Sequence, residues 1–244
     1  MKFAILNLLY KILGFENYIH ISNILKYKLI RYDGRKALYF HFLNKLKPDS
    51  NTLVVGANTG WSTIPIAEKT PQGKVFAFEP IPVNFNALQK IVAYAKVKNL
   101  QTFNSALGDK IGHVTMSMPI VKGVKSYGMS HLIDDKINYF ETGIPFEVEM
   151  QTLDTMVEKW GGRLDAVKLV AENSEQYIIK GGWQTFSKQK PLIYCEFWNN
   201  ENRHECLNIF LSLGYQIMIL QNDQLIPYPG ESYIERPFLL LPPQ

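Results

Sequence analysis

Cysteine is almost missing from this chain: Cys195 and Cys206 are the two in 244 residues, and neither sits in a CxxC or a Cys/His cluster. That excludes a disulfide framework and points to a reducing, cytoplasmic setting. No apolar run approaches the ~20 residues that span a bilayer. Residues 1–10 are apolar, but Lys11 interrupts them and no small-residue cleavage site follows, so no secretory signal is expected. Charge is sparse as well, at 20% of residues against 46% hydrophobic and 13% aromatic. Such a composition excludes disorder, collagen-like and coiled-coil structure. Internal repeats and low-complexity tracts are absent too. What remains is a packed chain of 28.1 kDa, long enough for one domain with its own core.

The net charge of +4 is unevenly spread. Residues 1–48 carry nine Lys/Arg against two acids, Glu16 and Asp33, for a net +7; the remainder carries 17 basic and 20 acidic residues, for a net −3. A basic, aromatic-rich leading segment suits peripheral contact with a membrane or another anionic surface, or the covering of one edge of a site. A solvated helical cap is the plain alternative.

Apolar spacing predicts helices over 3–13, 19–30 and 35–46, ended by Pro48. The texture then changes to alternating strand and helix. Strands are predicted over 52–55, 74–78 and 101–104, with helices over 61–69 and 83–96. Between 109 and 151 the pattern loosens into an insertion, read as a hairpin and a long loop, with a strand over 146–150. Alternation resumes with helix 153–160, strand 166–170, helix 174–187, strand 192–197, helix 202–213, strand 215–220 and a last strand 238–241. Repeated strand–helix units imply an α/β, doubly wound sheet, here over 49–244 behind an N-terminal helical extension of 1–48.

The first strand runs into Gly56-Ala57-Asn58-Thr59-Gly60 and then a helix. Ligands of open α/β sheets sit outside the carboxyl ends of the strands, and glycines there allow a tight turn and close approach. The spacing is G-x-x-x-G, not the G-x-G-x-x-G of dinucleotide sites, which disfavours a nicotinamide cofactor. Glu79 closes the next strand, where a carboxylate accepts from both hydroxyls of a ribose. The pair points to an adenosine-containing ligand. Nucleic acid lacks support: no basic stripe lies near the site, and no base-flipping Asn-Pro-Pro-Tyr motif occurs.

Val55-Gly56-Ala57-Asn58-Thr59-Gly60, Phe78-Glu79-Pro80-Ile81-Pro82-Val83-Asn84 and Ala106-Leu107-Gly108-Asp109 together resemble the FkbM-type S-adenosylmethionine-dependent methyltransferases. The resemblance extends through Thr152-Leu153-Asp154, Asp165-Ala166-Val167-Lys168, Lys180-Gly181-Gly182 and Pro191-Leu192-Ile193-Tyr194-Cys195-Glu196, in family order over about 50–198. It implies a class I, Rossmann-like methyltransferase sheet, mostly parallel with an antiparallel C-terminal strand. It also implies S-adenosylmethionine as cofactor and O-methylation of a sugar or related small metabolite. On that likeness Gly56, Asn58 and Gly60 line the methionine end, Glu79 holds the ribose, Asn84 supports its loop, and Ser105 and Ala106 border the adenine.

Three positions depart from the family pattern: Val54 and Val170 stand where it carries aspartates, and Asn173 replaces a glycine. The rival reading is therefore a catalytically inactive binding or scaffold protein of the same fold. For catalysis, an acceptor hydroxyl must lose its proton. Glu172 is the expected base, with Glu196 and His131 as helpers, whereas Glu175 reads as a first-turn helix acid. Lys168, in a buried-looking strand, is expected to pair with a neighbour. No metal site is expected. Trp183, Phe186 and Trp198 read as core, and Met116, Met118 and Met129 as the floor of an acceptor pocket or as gap fillers.

Overall fold

The computed structural model describes residues 12–121, 124–133, 143–230 and 232–243. The expected helix over 3–13 and the loop tip at 134–142 lie largely or wholly outside them. The chain enters as α1 (Phe15–Leu29), two short 3₁₀ turns and α2 (Ala37–Lys45). Then follow β1 (Thr52–Val55), α3 (Ile64–Lys69), β2 (Val75–Phe78), α4 (Pro82–Ala95), β3 (Leu100–Phe103) and the short β4 (Ala106–Leu107). The insertion holds β5 (Gly112–Val121), β6 (Val124–Lys125), β7 (His131–Leu132) and β8 (Gly143–Gln151). The second half contains α5 (Leu153–Lys159), β9 (Ala166–Leu169), α6 (Glu175–Gly181), α7 (Trp183–Gln189), β10 (Leu192–Glu196) and α8 (Glu201–Ser212). It closes with β11 (Gln216–Gln221), β12 (Gln224–Pro227) and β13 (Pro237–Leu241).

Eight strands form one sheet in the order β12-β11-β13-β10-β9-β1-β2-β3. The run β10-β9-β1-β2-β3 is parallel, and β13 inserts antiparallel between β10 and β11. This is the doubly wound α/β sheet expected. Its central strands are buried on both faces, which is why they read as short continuous apolar runs rather than as alternations. Leu53 and Val55 of β1 face α5–α8 with Val167, Leu169, Ile178, Phe186 and Phe210. Val54, between them, faces the other way, into a core built with Leu38, Tyr39 and Phe42 of α2 and Ala77 and Tyr194.

The insertion is a second small sheet in which β5 and β8 pair antiparallel from Gly112↔Met150 to Pro119↔Gly143. Two details differ from the sequence reading. The helix expected over 174–187 is two helices, broken at Gly181–Gly182. A Cβ on Gly181 would stand 1.9 Å from the Gly108 carbonyl oxygen, so the chain presses there against the insertion's root. The hairpin strand β12 was not expected; Asn222 and Asp223 turn into it with φ of 49° and 59°, values these side chains tolerate in tight hairpins.

Candidate functional site

One cavity of ≈ 690 Å³ opens at the carboxyl ends of β1, β2, β9 and β10. That lies within the ~300–1,000 Å³ range of small-molecule and cofactor sites. The turn after β1 forms its base. Gly56 has φ 67°, and a Cβ there would lie 1.9 Å from the carbonyl oxygen of Val170, so β1 and the end of β9 meet too closely for any side chain. Gly60, at φ 88°, turns against Leu88 and Ile91 of α4 and does not line the cavity.

Asn58, Glu79 and Asn84 form a connected group on the cavity wall. The Glu79 carboxylate accepts from the Asn58 backbone N–H at 2.8 Å, the Ile81 N–H at 3.1 Å and the Asn84 side-chain amide at 3.1 Å. Burial pushes this carboxyl up to about 7, against those three donors and Lys168, which pull it down. A carboxylate offers about four acceptor sites, so one remains for a ligand hydroxyl. Ser105 and Ala106 line the cavity beyond it, and Asn104 ties down the intervening loop by donating to the Glu79 and Pro80 carbonyls at 2.9 and 3.0 Å.

The β9–β10 side is built differently. Glu172 and Asn173 occupy consecutive left-handed conformations, φ 46° and 75°. Asn173 is fixed by Asn200 and Asn202, whose amides donate to its Oδ1 at 2.9 and 3.1 Å. That turn holds Glu172 on the cavity, where its carboxylate accepts from the Trp198 indole at 3.1 Å. Burial raises the Glu172 carboxyl, with the indole and Arg236 opposing. Glu196 lies on the same wall, accepting from the Tyr194 hydroxyl at 2.6 Å and pairing with Lys36 at 3.4 Å. Burial acts to raise its carboxyl, but Lys36, the Tyr194 hydroxyl and Lys168 outweigh it, and it titrates below the usual range. Glu175 is fully buried, accepts from the Ala171 N–H at 2.8 Å and stays off the cavity, as a first-turn acid should.

Four further residues differ from what the sequence suggested, three in placement and one in pairing. His131 lies on β7, 4% exposed, with Nδ1 3.0 Å from the Met129 carbonyl; its neighbours Ser130 and Leu132 line the cavity and it does not. Trp183 is 44% exposed and Trp198 serves the rim, leaving Phe186 as the core member of that trio. Lys168 does not pair. It lines the cavity at 6% exposure, yet makes no hydrogen bond or ion pair among the described residues. Its cross-strand neighbours are Val54 and Tyr194, and Val170 follows on the same side of the strand. The nearby Glu196 is already engaged by Lys36 and Tyr194. Burial pulls the Lys168 ammonium down to about 8, against the pull of Glu196.

Sequence reasoning also missed Ser174, which lines the cavity and whose buried hydroxyl has no partner among the described residues; Lys26, Lys36 and Tyr39 supply a wall from the N-terminal segment, which was expected to cover an edge of the site. The basic charge of that segment was the one signal for the lysines. Met116 lines the cavity, while Met118 is buried behind it. Val54 does not reach the cavity; Val170 does. Among the described residues no group of three or more His, Cys, Asp or Glu is placed to hold a metal ion.

Comparison with solved structures gives the methyltransferase FkbM from Methylobacillus flagellatus KT, 14% identical, with a TM-score of 0.56 over 80% of this chain. This chain spans 44% of that protein's length. A precorrin-6y C5,15-methyltransferase from Geobacter metallireducens GS-15 is 10% identical, TM-score 0.46, over 84% of each chain. A SAM dependent methyltransferase from Aquifex aeolicus is 12% identical, TM-score 0.45, over 88% of this chain and 95% of that one. Comparison with curated protein sequences finds no match. The first likeness places the fold among class I, Rossmann-like methyltransferases. The family model of the methyltransferase FkbM domain matches residues 55–217, from the last residue of β1 into β11, and the chain belongs to that family.

Proposed function

We propose that this chain is an S-adenosylmethionine-dependent O-methyltransferase acting on a hydroxyl of a sugar or related small metabolite. The observation that carries the reading is the Asn58–Glu79–Asn84 group: a buried carboxylate at the end of β2, held by the Asn58 backbone N–H onto the glycine turn of β1, with acceptor capacity left toward the cavity. The donor set fits the cofactor. The acceptor position left on Glu79 suits one hydroxyl of a ribose, and Ser174 and Lys168 offer a hydroxyl and a cation without hydrogen-bond or ion-pair partners among the described residues.

The bound cofactor supplies an electrophilic methyl group on a sulfonium. The protein positions the acceptor for in-line attack and receives its hydroxyl proton. Glu172 is the proposed proton acceptor, because its carboxylate is held on the cavity by the left-handed turn and the Trp198 indole. Glu196, tied to Lys36 and Tyr194, orients groups beside it. His131 positions the insertion through its bond to the Met129 carbonyl, away from the cavity.

Calorimetric titration with S-adenosylmethionine and S-adenosylhomocysteine tests the reading. Micromolar binding that Glu79→Ala loses supports it, and a screen of hydroxylated sugars then follows. No heat at millimolar ligand overturns it in favour of a methyltransferase-fold binding protein without catalysis. The valines at 54 and 170, in place of charge, are the feature that favours that rival.

A further inference from the structure

Helix α1 has two unlike faces. Inward, Ile19, Asn23 and the following Ile30 are buried, and Asn23 exchanges hydrogen bonds with Thr59 of the glycine turn. Outward, Ile21, Leu25, Leu29 and Tyr32 are 46, 52, 56 and 77% exposed. Their spacing of i, i+4, i+8 and i+11 sets them in one stripe along the helix and its exit. Apolar side chains scattered singly on a surface are ordinary, but an aligned exposed row marks a docking face.

Charge identifies what docks there. Lys26, Lys28, Arg31 and Arg35 are exposed along the same segment. The two acids of this segment are engaged, Glu16 with Lys90 at 3.7 Å and Asp33 with Arg35 at 2.8 Å, and Glu68 of α3 accepts from the Tyr27 hydroxyl. Residues 12–48 carry seven Lys/Arg against those two acids, and the preceding eleven residues of the sequence add Lys2 and Lys11 and no acid. A second copy of so basic a face would be repelled. An apolar row flanked by cations is the chemistry of a helix lying in the headgroup layer of an anionic membrane, with the apolar side chains inserted and the basic ones on lipid phosphates. We propose that the outer face of α1 docks this protein on anionic lipid bilayers. The inference is independent of which acceptor is methylated.

The full-length protein is floated with vesicles of phosphatidylcholine alone and of phosphatidylcholine mixed with phosphatidylglycerol. The expected result is co-flotation with the anionic vesicles, lost as added salt shortens the screening length below ~8 Å. Leu25→Asp/Leu29→Asp should lower vesicle partition on the order of tenfold or more, and Lys28→Glu/Arg31→Glu should remove the preference for phosphatidylglycerol. Circular dichroism melting identifies a misfolded variant; the single Leu29→Gln then replaces it and should lower partition in the same direction. Three outcomes overturn the proposal. They are equal behaviour on both vesicle types, unchanged flotation of the Leu25/Leu29 variant, and gel filtration showing a dimer that this variant dissociates.

Discussion

The two walls of the cavity are made on opposite plans. On the β1–β2 side Glu79 has its three protein donors in place, two of them backbone N–H groups, so the wall is set before any ligand arrives. On the β9–β10 side the chain keeps groups with unspent capacity: Lys168 and the Ser174 hydroxyl make no hydrogen bond among the described residues, and Glu172 sits on a left-handed turn. A preformed pocket suits a ligand bound the same way in every turnover, whereas unspent polar groups buried at a rim disfavour the empty state until an acceptor supplies partners.

The largest effect should come from breaking the preformed wall. Glu79→Ala is expected to weaken S-adenosylhomocysteine binding by roughly 100-fold or more, since hydrogen bonds to a charged group contribute ~1.5–3 kcal/mol each. In the wild type the affinity should fall as pH drops through about 7, where the buried carboxyl takes up a proton and loses acceptor strength. Titration calorimetry across that range checks both; a pH-independent affinity would separate Glu79 from the ligand.

Next in size is the other wall. Glu172→Gln should cut kcat by ~10²-fold while leaving S-adenosylhomocysteine affinity in place, in line with general-base contributions. Single-turnover rates measured against pH sharpen the assignment. A rate climbing through about 8 would move the proton to Lys168 instead.

Lys168→Met should raise stability, a gain in the direction opposite to the first two losses. The folded ammonium titrates at about 8 against an ordinary 10.5, so between those values the unfolded chain binds more protons and wild-type stability rises with pH. At pH 7 the substitution should therefore gain up to about 3 kcal/mol, from a shift of that size at 1.36 kcal/mol per unit, and the gain should vanish above pH 10.5. Denaturant melts at pH 7 and at pH 10.5 measure it; an equal gain at both would mean packing, not charge. Smallest of all, Lys36→Met breaks a pair whose side chains are 26 and 25% exposed, and should cost below ~1 kcal/mol in thermal melts.

Much of the first wall was legible in the sequence, because its logic is local. A strand, a glycine turn and an acid closing the next strand follow one another within residues 52–79, and backbone geometry forces them together. The second wall was only partly legible. Glu172, on the turn after β9, and Glu196, closing β10, were both singled out in the sequence and line the cavity. That Lys168 makes no ion pair among the described residues was not legible, because it depends on what stands beside it in β1 and β10. His131 misled because a loop histidine has no periodicity to say which way it points, and the register of β7 on β5 turned it from the cavity. The break at Gly181–Gly182 arose from contact with Gly108, seventy-odd residues earlier in the chain, which no helical pattern records.

By itself the sequence determined the layers and the edge at which the cavity opens: apolar runs too short for anything but buried strands, helices between them, and glycines where a turn must pass close to its neighbour. Those follow from backbone sterics and burial, which act over a few residues. Only the tertiary structure decided which residues of the N-terminal segment supply the cavity wall, and that a lysine flanked by Val54, Tyr194 and Val170 makes no ion pair among the described residues. Burial and charge–charge coupling depend on distance in space, and the chain brings together there residues more than a hundred positions apart.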